Sequence, residues 1–486
     1  MIVAHLARAI AIAVTLLVLT GGAATAGGAV ANGAKTASAT RGAYLATAAD
    51  CTACHTAPGG APFAGGLPIA SPVGVIFATN ITPSRTAGIG TYSEAQFARA
   101  LREGVRKDGA NLYPAMPYTS YRLLSDADVQ DLYSYFRQGV PPVNVAPRHT
   151  SLPFPMNIRA SMMAWNLLFS SSRRFAPDPR RPADWNRGAY LITGLAHCGA
   201  CHTPRGFLMQ ELSAKTFAGG AVGPWFAPNI TSDPASGIGT WTQADIVQYL
   251  HTGALPAKAR AAGGMGEAVE HSLQFLTPAD LAAIATYLRT IPAVHDKADR
   301  QSRFTYGTEG SALGTVRGKS PVTSGPVPSP TGAALFLGNC ASCHSPEGAG
   351  GKDDYYPRLI GNSDTGAGNP TNLIATILYG VDRKTPSGQA YMPGFGGRRT
   401  DFDQLDDNEI ALLSNYVLKQ FGRADRTVSA RDVAISRRGG PSSPLVLLAR
   451  IAIAGGAIVM LALLLLLVAK ATPWLKQPRT RRPYSS

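Results

Sequence analysis

The sequence predicts a mainly α-helical chain of three tandem units followed by one C-terminal transmembrane helix. Three observations predict it. The motif C-x-x-C-H occurs three times and takes up all six cysteines, at Cys51–His55, Cys198–His202 and Cys340–His344. The residues around the first motif recur near the second at an almost constant offset. Close to the end, Ile451 to Ala469 runs 19 residues without a charge. At ~150 residues per domain, 486 residues suit about three domains, each able to bury a core.

The N-terminus carries His5 and Arg8, an apolar run from Ala9 to Leu19, then Ala24-Thr25-Ala26. A short apolar run before an A-x-A site reads as a secretory signal peptide over residues 1–26. An uncleaved anchor is the rival, but the run is short for a span. The units follow at 38–140, 183–295 and 331–425. Arg41-Gly42-Ala43-Tyr44-Leu45 recurs 146 residues later as Arg187-Gly188-Ala189-Tyr190-Leu191. Asn80-Ile81-Thr82 and Gly88-Ile89-Gly90 recur 149 residues later as Asn229-Ile230-Thr231 and Gly237-Ile238-Gly239. This is a duplication. A third, diverged and shorter copy starts near Gly332-Ala333-Ala334-Leu335-Phe336 and lacks both later segments.

Each unit should close with a helix. Ser125-x-x-Asp128, Thr277-x-x-Asp280 and Asp406-x-x-Glu409 resemble capping boxes, each after a leucine and each leading into helically spaced apolar residues. No alternating run supports a sheet of any size. Linkers are expected at Pro141–Pro182, Asp296–Pro330 and Arg423–Pro444. The first holds the apolar run Met162–Phe169, which either packs on a neighbouring unit or forms a docking surface. The span is expected over 445–469. Its 19 uncharged residues make ~28 Å of helix, one hydrocarbon core. Lys470, Lys476, Arg479, Arg481 and Arg482 follow it, so the positive-inside rule puts the tail in the cytoplasm and the units across the membrane.

Charged residues are 15% and the net charge is +15. The tail supplies five of those charges, and no basic cluster on a globular face is read elsewhere, so no nucleic-acid partner is expected. Gly348-Ala349-Gly350-Gly351 follows a C-x-x-C-H motif and not a strand, so it is no dinucleotide fingerprint.

C-x-x-C-H is the attachment signature of c-type haem. Cysteines three apart share a helix face and reach the two vinyl groups, and the next residue sets its imidazole under the iron. Zinc would need a second cysteine pair in the unit, and a thioredoxin-like pair needs a βαβ context; neither is present. The cysteine attachments are therefore Cys51, Cys54, Cys198, Cys201, Cys340 and Cys343, with His55, His202 and His344 as proximal ligands of three covalent haems. Opposite ligands are expected at Met116, Met265 and Met392, which lie 61, 63 and 48 residues after the histidines. In the second unit His271 is the main rival to Met265, with Met209, His197 and His251 behind it. Filled axial positions favour electron transfer over oxygen or peroxide chemistry. Arg41, Arg187 and Arg205 either pair with haem propionates or stand in solvent.

With Tyr113-Pro114-Ala115-Met116-Pro117-Tyr118, Cys201-His202-Thr203-Pro204-Arg205-Gly206 and Met392-Pro393-Gly394-Phe395, the three motifs resemble the triheme cytochrome c subunits of membrane-bound periplasmic dehydrogenases. The resemblance covers roughly residues 38 to 425. It implies three tandem class I cytochrome c-like domains. It also implies a catalytic subunit carrying FAD or pyrroloquinoline quinone, and ubiquinone as acceptor. The ligand pairs carried over are His55 with Met116, His202 with Met265, and His344 with Met392. Asp353-Asp354-Tyr355-Tyr356-Pro357 looks closer to partners of flavoprotein gluconate, sorbitol or fructose dehydrogenases. The rivals are a quinoprotein alcohol dehydrogenase or a molybdenum aldehyde dehydrogenase. Outside that class lie a haem peroxidase and a terminal-oxidase subunit.

Overall fold

A computed structural model describes residues 37–310, 331–397 and 404–475. The expected signal peptide, and the basic tail from Lys476 on, lie outside the described residues.

Each of the three stretches begins with a leading helix (37–48, Ala183–Tyr190, Gly332–Asn339), enters a short helix that carries the C-x-x-C-H motif, and ends on a long closing helix (Asp126–Gln138, Pro278–Leu288, Asp407–Phe421). Small residues bring the leading and closing helices together. A Cβ on Gly42 would stand 2.0 Å from Asp131 O, on Gly188 2.0 Å from Ala283 O, and on Gly332 2.3 Å from Leu412 O. Only glycine permits that crossing, which accounts for its recurrence in all three copies.

The other repeated segments have equally local reasons. Asn80 Oδ1 accepts from Thr82 N at 2.9 Å, and its Nδ2 donates to Val143 O at 2.8 Å. Asn229 repeats this with Thr231 N at 2.8 Å and Val294 O at 2.7 Å. These buried amides staple each loop to the chain leaving the closing helix, satisfying backbone groups that water cannot reach. In the Gly-Ile-Gly segments, a Cβ on Gly88 or Gly237 would come within 2.2 Å of the Thr82 or Thr231 carbonyl.

Short hairpins went unanticipated. Among the described residues, four antiparallel two-stranded pairs form, the longest being Val381–Thr385 with Gly388–Met392. Strands of two to five residues are too short to show an alternating pattern.

The closing helices begin where expected, but only the third completes a capping box. Asp406 Oδ1 accepts from Glu409 N at 2.8 Å, and Glu409 Oε2 accepts from Asp406 N at 2.9 Å. Ser125 and Thr277 each accept from the backbone of Asp128 and Asp280 at 3.1 Å. The carboxylates of Asp128 and Asp280 turn away, to the interface between the first two stretches.

That interface is a reciprocal exchange. Asp280 takes two bonds from Arg187 of its own stretch (2.8 and 2.7 Å) and one from Tyr44 OH of the other (2.6 Å). Asp128 is held by Arg41 of its own stretch and by Tyr190 OH of the other. Thr277 N donates to Tyr44 OH and Ser125 N to Tyr190 OH. Arg41 and Arg187 therefore bind carboxylates of the closing helices; neither stands free in solvent. Around this clasp Leu45, Leu132 and Phe136 join Leu191, Ile284 and Leu288 in one continuous core. The first two stretches thus share a core in place of one each, whereas Phe336, Leu413 and Phe421 belong to a second, separate core in the third stretch.

The expected linkers are ordered where they are described. Thr150 Oγ1 accepts from Phe77 N at 2.9 Å, and Leu152 is buried. Arg423 is buried and bonds Asp299 Oδ1 at 2.5 Å, and helix Ala430–Arg437 buries Val433 in the core of the third stretch. Residues 311–330 lie outside the described set. The last helix, Leu445–Leu475, is long and apolar enough to cross a membrane over Leu445–Lys470 and is not buried there.

Candidate haem-attachment sites

Each motif sits where its leading helix turns into a one-turn helix: Cys51–His55, then Gly199–His202 behind Cys198, then Ala341–His344 behind Cys340. All six cysteines are free thiols, so none is spent on a disulfide. Burial, with smaller contributions from neighbouring ionisable groups, pushes Cys51 and Cys198 up to about 12.

The three histidines share one arrangement. Nδ1 of His55 meets Thr79 O at 2.6 Å, that of His202 meets Pro228 O at 2.7 Å, and that of His344 meets Pro357 O at 2.8 Å. A carbonyl can only accept, so Nδ1 carries the proton and Nε2 is left with its lone pair, able to ligate a metal. Burial lowers the pKa of all three below the ordinary value, which keeps the imidazoles neutral. The return loops are fastened to the motif backbone as well: Gly65 N and Gly219 N donate to His55 O and His202 O at 2.7 Å, and Gly350 N to His344 O at 2.9 Å. These carbonyl partners escaped sequence reasoning. Their trace was the repeated Asn-Ile-Thr segment, which begins directly after Thr79 and Pro228.

The methionines come from different local structures. Met116 lies in the turn before helix Tyr118–Tyr121, Met265 on helix Gly263–His271, and Met392 at the end of its strand. Met116 and Met265 pack on the shared core with Cys51 and Cys198, and Met392 packs on the core of the third stretch with Cys340. His271 is half-buried on the same helix as Met265, its Nε2 3.8 Å from Glu267. Half-buried His197 stands edge-on to Tyr121, centroids 5.6 Å apart. Arg205 donates to Ala200 O at 2.6 Å and holds the second motif's own backbone.

The first two motifs adjoin. Tyr121 OH donates to Ala49 O at 2.8 Å, just before Cys51, while its ring meets His197, just before Cys198. Burial, followed by Asp50, Cys201 and Glu267, pushes Cys54 up to about 11. The helix of Met265 packs on the Cys51–His55 helix and on strand Val381–Thr385, whose Val381 pairs with Met392. The second stretch therefore lies between the other two. Asn372 of the third fastens the second, exchanging two 2.9 Å bonds with the Phe226 backbone.

Helical stretches built round C-x-x-C-H turns, each with its histidine Nδ1 bonded to a carbonyl, define a c-type haem protein. A family model described as cytochrome c matches residues 39–139, 186–292 and 329–420. The chain is 49% identical over 412 residues to the fructose dehydrogenase cytochrome subunit of Gluconobacter japonicus, covering 84% of each. It is 40% identical to the alcohol dehydrogenase (quinone) cytochrome c subunit of Gluconacetobacter polyoxogenes, over 82% of this chain and 84% of that one. With the gluconate 2-dehydrogenase cytochrome c subunit of Pantoea cypripedii the identity is 39%, over 82% and 89%. The chain belongs to the cytochrome c family, carries covalent haem c and is an electron-transfer subunit.

Proposed function

We propose that the chain holds three haems in three tandem class I cytochrome c domains and passes electrons from a periplasmic dehydrogenase subunit to membrane ubiquinone. The observation that carries this reading is the threefold motif helix with its Nδ1-bonded histidine. The residues fit the group: paired free thiols one helical turn apart, beside a neutral imidazole with Nε2 available. Cys51 and Cys54, Cys198 and Cys201, and Cys340 and Cys343 would hold it, with His55, His202 and His344 on one side. Met116, Met265 and Met392 would complete the ligand sets, and the packing of Met265 on the same core as Cys198 supports its choice over His271. Bound haem supplies a one-electron couple, and thioether ligation raises its potential. The protein's part is to fix each imidazole through its carbonyl, to exclude water with the two cores, and to set the second site between the other two.

The named relatives support a dehydrogenase partner. The 49% match to a fructose dehydrogenase subunit favours a flavoprotein acting on a sugar or sugar acid over a quinoprotein. Residues 1–26 act as the export signal, and Leu445–Lys470 spans the cytoplasmic membrane with the haem domains outside and the basic tail inside.

Purified from membranes, the subunit should contain three haems per chain. It should be reduced by its dehydrogenase with substrate and reoxidised by ubiquinone. One or two haems, or ready binding of carbon monoxide by the reduced protein, would overturn the ligand reading.

A further inference from the structure

Helix Ser161–Phe169 is inside out for a surface in water. Its inner side holds Trp165, whose Nε1 donates to Leu208 O at 2.8 Å, and Asn166, whose Oδ1 accepts from Tyr118 OH at 2.8 Å. Its outer face presents Met163, Ala164, Leu167 and Leu168, and Leu167 is 85% exposed. Outer faces of surface helices are ordinarily polar. No charged residue occurs from 160 to 172, and exposed Phe154 and Ile158 extend the apolar patch.

Two observations say what covers it. The patch is continuous with the candidate span: Arg450 Nε, beside the uncharged run, donates to Phe154 O at 2.8 Å. Just before the span, Ser443 N reaches Pro72 O at 3.4 Å. The flanks are also cationic. Arg148, Arg159, Arg173, Arg174, Arg180 and Arg181 face a single acid, Asp178, between 145 and 181. An apolar face whose flanking chain is rich in arginine suits an anionic lipid surface.

We propose that residues 154–169 lie in the plane of the outer leaflet, at the boundary of headgroups and acyl chains, as a second membrane contact beside the span. The inference rests on the reading of Leu445–Lys470 as membrane-spanning. It sets the Met116 loop against the bilayer surface, because Tyr113 OH donates to Met156 O at 2.9 Å and Arg159 stacks on the Tyr113 ring at 4.6 Å.

The test uses the full holoprotein, haems reduced, in nanodiscs containing anionic phospholipid. Nitroxide labels are placed singly through Leu168→Cys and Ile453→Cys. At both sites, collisions with oxygen should persist and collisions with a water-soluble nickel chelate should be lost. Free access of nickel at 168, with 453 shielded, would overturn the inference and leave the span standing. Access at 453 would overturn the span and the inference together. Access at 168 that vanishes only when the dehydrogenase subunit is added would overturn it in favour of a protein-docking face.

Discussion

Removing the Asp280 carboxylate tests the exchange that joins the first two stretches. Asp280→Ala deletes two bonds from Arg187 and one from Tyr44 OH, while the cap from Asp280 N to Thr277 Oγ1 survives. Hydrogen bonds to a charged group contribute about 1.5–3 kcal/mol each, and breaking a buried pair costs about 3–5. The Arg187 side chain is 34% exposed, so solvent screens part of the pair, and about 3 kcal/mol is the expected loss. In a core spanning roughly 250 residues, ~2–4 °C per kcal/mol makes this a fall in Tm of about 6–12 °C. Tyr44→Phe should cost about 1–2 kcal/mol, and the double variant less than the sum. Calorimetry, or melting followed by Soret circular dichroism, reads these directly. Burial alone would raise the Asp280 pKa, but the bonds from Arg187 and Tyr44 and the charge of Arg187 outweigh it, and the net direction is down. The stabilisation is therefore complete above the unfolded carboxylate value of ~3.9 and fades as pH falls through the lower native value. The gap in Tm between wild type and variant should close in that acid window. A variant melting within ~2 °C of wild type, or a Tyr44–Asp280 coupling below ~0.5 kcal/mol, would refute the reasoning.

Gly42→Ala should destabilise by about 2–3 kcal/mol, because its Cβ falls 2.0 Å from Asp131 O, whereas Gly264→Ala meets nothing within 4 Å and should be neutral or slightly stabilising in the same melts. Asn229→Ala removes the buried bonds to Thr231 and Val294 and should cost about 2–3 kcal/mol by denaturant titration; Asn80→Ala should behave alike. Met265→Leu should convert one haem's spectrum and lower its potential in a redox titration. His271→Ala should leave both unchanged, and the reverse result would exchange the ligands.

Local spacing carried the legible part. The three motifs, the closing helices after Leu124, Leu276 and Leu405, and the apolar last helix were all read from positions a few residues apart, and the structure puts helices there. The illegible part depended on chain returning from afar. His55 finds its carbonyl 24 residues on, and His344 finds its own only 13 on, since the third copy is shorter. Asp128 and Asp280 looked like ordinary caps because a capping box and an interface anchor share one residue pattern. The Ser161–Phe169 helix reads as apolar in either case; which of its sides meets the protein is settled by Tyr118 and Leu208.

The sequence by itself determined the chemistry: cysteine, cysteine and histidine at a spacing where one helical turn sets the geometry, written three times. Tertiary structure alone decided that two copies share a core and that the third stands on the second. The reason is degeneracy. Both early copies carry the same tyrosine and the same aspartate, so either tyrosine could bond within its own copy or across to the other. Nothing local separates the two choices. The packing of Leu45, Leu191 and their neighbours selects the crossed one.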